Sequence, residues 1–158
     1  MKRIAHTCWI GAWLLIVLAA CSESDCSIEG QPTVRFSFFD SRTHSLVSLF
    51  DSLTVTALGT DSILLNREKG IDHLSLPLSY TESTTRFVLH YTHALRDTLT
   101  VAHQNRPHFI SMDCGISMFH TLEHVAHTTV LIDSVCLTSP DVNDHEKENY
   151  RIYYTVGE

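Results

Sequence analysis

Across 158 residues the chain carries 11 Lys+Arg against 18 Asp+Glu, a formal net charge of −7 with histidine neutral. A balance this acidic lacks the basic footprint of a nucleic-acid binder and offers no basic patch to anionic lipid headgroups, so nucleic acid is excluded as a partner. The six glycines are scattered singly and no G-x-S-x-G run occurs, which leaves neither a phosphate-cradling loop nor a nucleophile elbow.

Residues 1–21 read MKRIAHTCWIGAWLLIVLAAC: positive Lys2 and Arg3, then an apolar run from Cys8 to Ala20 broken only by Gly11. That run is too short for a bilayer core of about 30 Å, which needs roughly 20 apolar residues. It ends in small residues directly before a cysteine, Leu18-Ala19-Ala20-Cys21, and this order resembles the bacterial lipobox. The resemblance implies a lipoprotein signal peptide over 1–20, acylation (palmitate included) at Cys21, a lipidated tether over 21–31 and attachment to the lipid bilayer. A plain secretory signal with an incidental Cys21 is the alternative. No Asp follows Cys21 directly, so the inner-membrane retention signal is missing. Ser22-Glu23-Ser24-Asp25 resembles the surface-export signal of Bacteroides-type bacteria, and a solvated polar tether explains the same residues. The expected address is the outer membrane, periplasmic face or cell surface.

Removal of residues 1–20 leaves 138 residues with nine Lys+Arg against 18 Asp+Glu, one domain's worth of chain at a formal charge of −9. Of five cysteines, Cys8 leaves with the signal and Cys21 carries lipid, so Cys26, Cys114 and Cys136 remain. Disulfides persist beyond the inner membrane, and three thiols allow one bridge. Cys26–Cys114 is expected, with Cys136 as a small buried hydrophobe inside an apolar strand; Cys114–Cys136 is the alternative. A bridge closing nearly the whole domain contributes about 4 kcal/mol in the chain-entropy picture.

From Cys26 onward the dominant period is two. Val34, Phe36 and Phe38 alternate with polar neighbours, as do Leu53, Val55 and Ala57, and a turn follows at Gly59-Thr60-Asp61. A short apolar run over 62–65 precedes the turn at Glu68-Lys69-Gly70. Leu74 and Leu76 oppose His73 and Ser75, and Pro77 marks an edge strand or a strand end. Further strands are predicted over 86–92, with Phe87, Leu89 and Tyr91 inward, over 98–103 with Leu99 and Val101, and over 107–113, 130–137 and 150–156. The spacing of these runs predicts an all-β fold, a single antiparallel β-sandwich of seven to ten strands over 32–158. Between Met118 and His127 the apolar residues also fit one face of a helix. A strand from Gly115 to about Leu122 is favoured, because ten residues make a marginal helix and every neighbour is a strand.

Ten of the eleven histidines lie beyond residue 20. His120, His124 and His127 would share a helical face, and His120-Thr121-Leu122-Glu123-His124 fits the H-x-x-E-H pattern of the inverted zinc proteases, but the 34 residues that follow hardly supply the distant third ligand. A looser zinc or copper site would draw on His90, His93, His103 and His108 if a hairpin gathered them at one end. Asp141, Asp144, Glu146 and Glu148 form an acidic loop without the glycine and spacing of a calcium-binding loop. Four triplets, Asp51-Ser52-Leu53, Asp61-Ser62-Ile63, Asp97-Thr98-Leu99 and Asp133-Ser134-Val135, resemble an O-glycosylation motif of the same bacterial group, with sugar on Ser52, Ser62, Thr98 or Ser134. Asp and Ser ending turns before the next strand explain the same triplets.

Several phrases together carry a wider likeness: an early Cys26, Leu74-Ser75-Leu76-Pro77-Leu78, the stretch from His108 to Gly115 that includes Asp113-Cys114-Gly115, the stretch from His127 to Val135 with Ile132-Asp133-Ser134-Val135, and the stretch from Glu148 to Tyr154. In that order, behind the lipobox, they resemble an uncharacterised lipoprotein family of Bacteroides-type bacteria. The resemblance implies an address and a disulfide pair, and no catalytic mechanism. The functional expectation is a non-enzymatic, cofactor-free envelope module that binds an envelope protein or a glycan. The alternative is a small-ligand or metal-binding lipoprotein using its histidines.

Overall fold

The computed structural model describes residues 31–48, 52–60, 62–112, 114–143, 145 and 147–155. The expected signal peptide over 1–20, Cys21 and Cys26 lie outside them. Ten strands run in chain order: β1 (Thr33–Asp40), β2 (Leu53–Ala57), β3 (Ile63–Glu68), β4 (His73–Pro77), β5 (Thr84–His90), β6 (Arg96–Ser111), β7 (Gly115–His127), β8 (Ile132–Leu137), β9 (Asp141–Val142) and β10 (Tyr150–Tyr154). They form a four-stranded sheet, β4-β1-β10-β8, and a six-stranded sheet, β3-β2-β5-β6-β7-β9. No helix occurs among the described residues. The all-β expectation holds, with one departure from an antiparallel arrangement: β1 and β10 pair in parallel, Phe36 beside Tyr150 and Phe38 beside Ile152.

Alternation places the core between the sheets. Val34, Phe36 and Phe38 from β1, Leu74 and Leu76 from β4, and Tyr150, Ile152 and Tyr154 from β10 meet Leu53, Val55, Phe87, Leu89, Leu99 and Val101 from the other sheet. Phe36 lies at the junction. Its ring stacks on Tyr150 at 5.3 Å and meets the Phe87 edge across the sheets at 6.4 Å, the two favourable aromatic geometries. The Tyr91 and Tyr154 hydroxyls bond across the same interface at 3.1 Å. Pro77 ends β4 on the outer edge of the four-stranded sheet, as predicted, where a missing N–H breaks no ladder.

Three expectations are corrected. The runs at 98–103 and 107–113 are one 16-residue strand, β6, and Pro107 does not interrupt it. β5 pairs with β6 only as far as Thr84 opposite Ala102, so among the described residues the far half of β6 has a ladder on its β7 side alone. Pro107 sits in that half, where its absent N–H costs no bond on the open side. The second correction extends β7: it stays a strand from Gly115 to His127, well past Leu122, and the helical alternative does not form. The third concerns Cys136, which is exposed rather than buried. Its register opposite the exposed Arg151 turns it away from the core.

Candidate functional site

Because Leu53, Val55 and Leu89 point into the core, their neighbours Thr54, Thr56 and His90 occupy the opposite face of β2 and β5, with Thr54 directly across from His90. There the chain forms an open groove of about 890 Å³, within the size range of small-molecule sites. Ser52, Thr54, Thr56 and Asn66 supply hydroxyls and an amide, Arg67 and Lys69 supply positive charge, and His90 and His93 close the end at the β5–β6 turn. The Thr56 hydroxyl and His90 Nε2 are 3.0 Å apart, which fixes that imidazole against the groove floor. Arg67 takes a left-handed φ of 51°, and its N–H donates to Thr54 Oγ1 at 3.2 Å instead of to a ladder carbonyl. Such a backbone costs a non-glycine residue about 1–3 kcal/mol, and it persists where neighbours hold it. Among the described residues no carboxylate lines the groove, in a chain of net charge −7.

A second polar centre is built around two buried histidines of the six-stranded sheet. Asn105 Oδ1 stands 2.8 Å from both His103 Nδ1 and His120 Nδ1. A carbonyl oxygen only accepts, so both rings carry their proton on Nδ1 and a lone pair on Nε2. The Thr85 hydroxyl donates to His103 Nε2 at 2.8 Å and accepts from the Ser79 N–H at 2.8 Å, while Asn105 Nδ2 donates to the Glu82 carbonyl at 3.0 Å. Tyr80 stacks on His120 at 6.1 Å, and the two imidazoles meet edge to face at 5.1 Å. His120 Nε2 is buried without a partner. Burial pushes the His120 pKa down to about 4, with the nearby His103 adding to the effect. Burial also lowers His103, against opposing contributions from Asn105 and Glu123.

The structure does not gather the four histidines expected to meet. His90 and His93 line the groove, His103 is buried with His120, and His108 stacks on Phe119 at 4.3 Å. Among the described residues no group of three His, Cys, Asp or Glu side chains is placed to hold a metal ion. The register that pairs Asn105 with His120 made a different pair from the one expected. His124 is exposed while His120 is buried, so the H-x-x-E-H residues share no face. Asp141 belongs to β9, and Glu148 accepts from Arg151 Nε at 2.6 Å; Asp144 and Glu146 lie outside the described residues.

Cys136 is a free thiol, which removes the Cys114–Cys136 pairing. Cys114 is disulfide-bonded, and the expected mate, Cys26, lies outside the described residues. Of the four hydroxyls in Asp-Ser/Thr triplets, Ser62 and Ser134 are exposed, whereas Ser52 and Thr98 are half-buried. At Asp97-Thr98 the triplet has an internal use. Asp97 is fully buried, and its carboxylate accepts from Thr128 Oγ1 and from the N–H groups of Val130, Leu131 and Ile132 at 2.6–3.1 Å.

Fold and site together define a small all-β, two-sheet domain with a polar groove on its outer face. The chain belongs to a family of unknown function, DUF6452, which matches residues 52–154. The match takes in every described groove residue and the buried histidine pair, and begins after β1. No curated protein and no solved structure matches the chain.

Proposed function

We propose that the protein is a lipid-anchored outer-membrane module, acylated at Cys21, that binds an acidic glycan in the β3-β2-β5 groove and performs no chemistry on it. The observation that carries this reading is the lining. Arg67 and Lys69 offer positive charge, His90 and His93 offer imidazoles, and Ser52, Thr54, Thr56 and Asn66 offer donors and acceptors, with no carboxylate among the described lining residues. On a chain this acidic, two cationic side chains on one face favour an anion there. The hydroxyl and amide set suits the hydroxyls of a sugar, and the open shape suits a polymer that passes through.

The test is calorimetric titration of the detergent-solubilised protein with polygalacturonate, and with neutral dextran as contrast. Polygalacturonate is expected to bind with an affinity that falls as salt rises, and the Arg67→Gln/Lys69→Gln pair is expected to weaken it about tenfold, or about 1.4 kcal/mol. Equal binding of dextran, or an unchanged affinity in the double variant, overturns the reading.

Anchoring is tested separately. Several acyl chains on one residue hold a domain stably, since each buried CH₂ contributes about 0.8 kcal/mol. Cys21→Ala is therefore expected to move the protein from the membrane pellet to the soluble fraction, and continued pelleting would sink the anchor. The intact mass of the wild-type protein reads the acyl chains and any sugar on the exposed Ser62 and Ser134. Peptide mapping of the same material without reductant reads the proposed Cys26–Cys114 bridge.

A further inference from the structure

We infer that the far end of the β6–β7 hairpin dips into the lipid surface beside the anchor, a contact that rests on the lipid-anchor reading of Cys21. β5 leaves β6 at Ala102, and β9 pairs with β7 only at His120 and Thr121. Beyond Asn105 opposite His120, the hairpin continues, among the described residues, as a two-stranded ribbon to Ser111 opposite Gly115. Two strands alone are marginal in water, yet this ribbon ends in large apolar side chains. Phe109 and Ile116 form a cross-strand pair and are 58% and 70% exposed, Ile110 is 42% exposed and Met112 in the turn is 90% exposed. A cluster of this kind marks a surface that another phase covers.

The chain itself indicates which phase. The described domain begins at Gln31, whose Oε1 accepts a hydrogen bond from the Tyr80 hydroxyl at 2.7 Å, and Tyr80 stacks on His120 at the base of the ribbon. The segment from Cys21 therefore enters the domain at the foot of the hairpin. Its ten residues reach at most about 35 Å, while the ribbon rises about 20 Å from Asn105 to Ser111, so tether and tip can stand at one level. The proposed Cys26–Cys114 bridge would bring the tip still closer, within five residues of the acylated cysteine. The exposed side chains at the tip, Phe109, Ile110, Met112 and Ile116, are apolar, so the contact is apolar insertion by a few ångströms into the headgroup–acyl boundary.

Trp9 and Trp13, the only tryptophans, precede Cys21, so the processed protein has none and an introduced tryptophan reports alone. Met112→Trp marks the tip, and Leu95→Trp, at the exposed β5–β6 turn, marks the opposite end of β6. Each processed lipoprotein is reconstituted into phosphatidylcholine vesicles with and without brominated acyl chains. Met112→Trp is expected to shift to the blue and to lose most of its emission to bromine, while Leu95→Trp keeps its aqueous spectrum. Identical aqueous spectra for the two variants overturn the inference. A blue shift without bromine quenching overturns it too, because a second protein copy then covers the tip. The intact mass shows acylation independently, so a failed anchor and a solvent-exposed hairpin are told apart.

Discussion

Asp97→Ala is expected to remove about 3–5 kcal/mol of unfolding free energy, a large part of the 5–15 kcal/mol typical of a single domain. Asp97 is the second residue of β6 in the six-stranded sheet, and its four donors run along the β7–β8 connection to Ile132, the first residue of β8 in the other sheet. Thr98 completes the joint: its carbonyl accepts from the Thr128 N–H at 3.1 Å, and its N–H donates to Thr128 Oγ1 at 2.9 Å. Alanine strands backbone donors that the carboxylate now satisfies, the most buried at Ile132. Asn restores little, since its NH₂ group faces donors at one of the two oxygen positions. Burial pushes the Asp97 pKa up, but the hydrogen bonds from Thr128 and the three backbone N–H groups outweigh it and hold the carboxyl below its ordinary value. A depressed carboxylate contributes its full stability above the unfolded value of about 3.9 and loses it as pH falls through the folded one. The deficit in Asp97→Ala should therefore stay constant across neutral pH and shrink only in strong acid. Urea unfolding at pH 7 decides it, and a loss under about 1 kcal/mol would show that water serves those donors as well.

Strands with one face in the core were legible because burial imposes a strict period of two, as with Val34, Phe36 and Phe38. The errors arise where that period breaks. In β7, Leu122 faces His103 and His124 faces Ala102, so Glu123 is an extra residue. The bulge turns both Leu122 and Val125 toward the core, and this three-residue step is what imitated a helix. β8 repeats the pattern: Ser134 faces Tyr153 and Ile132 faces Tyr154, leaving Asp133 extra. Ile132 and Val135 then both reach the core side, and Cys136 is turned outward. A bulge leaves no composition signal, so neither correction could be read from residue types.

The site was less legible than the fold, for a similar reason. Lys69 read only as part of a turn, and Arg67 had no visible assignment, because the groove exists only once β3 lies beside β2 and β2 beside β5. His90 and His93 were singled out for the wrong partners. Asp97 read as a turn residue or part of a sugar-acceptor triplet, since its donors lie 31–35 residues downstream. Exposed apolar residues at 109–116 looked like ordinary strand until pairing showed that β5 does not reach them.

Mild acid should destabilise the domain through its buried histidines, by about 2–3 kcal/mol between pH 7 and pH 4.5 from His120 alone. In the folded chain His120 is sealed, donates through Nδ1 to Asn105, and has its pKa pushed down to about 4 by burial and by His103. In the unfolded chain the ring returns to an ordinary value of about 6.5. The unfolded state then binds a proton first as pH falls. The stability is fully present above pH 6.5, declines as pH drops towards 4, and levels off below. This is a higher window than that of Asp97, so the two contributions separate along one pH series. His103, lowered in the same direction, steepens the decline. His120→Phe keeps a ring against Tyr80 and leaves Asn105 Oδ1 its bond from His103, while removing the titrating group and its unpartnered Nε2. Urea midpoints at pH 7.5, 5.5 and 4.5 should fall less in this variant than in the wild type. An NMR titration of the wild-type ring gives the answer without a substitution: His120 should stay neutral down to about pH 5. A ring that protonates near 6.5 in the folded protein would assign the acid sensitivity to the carboxylates instead.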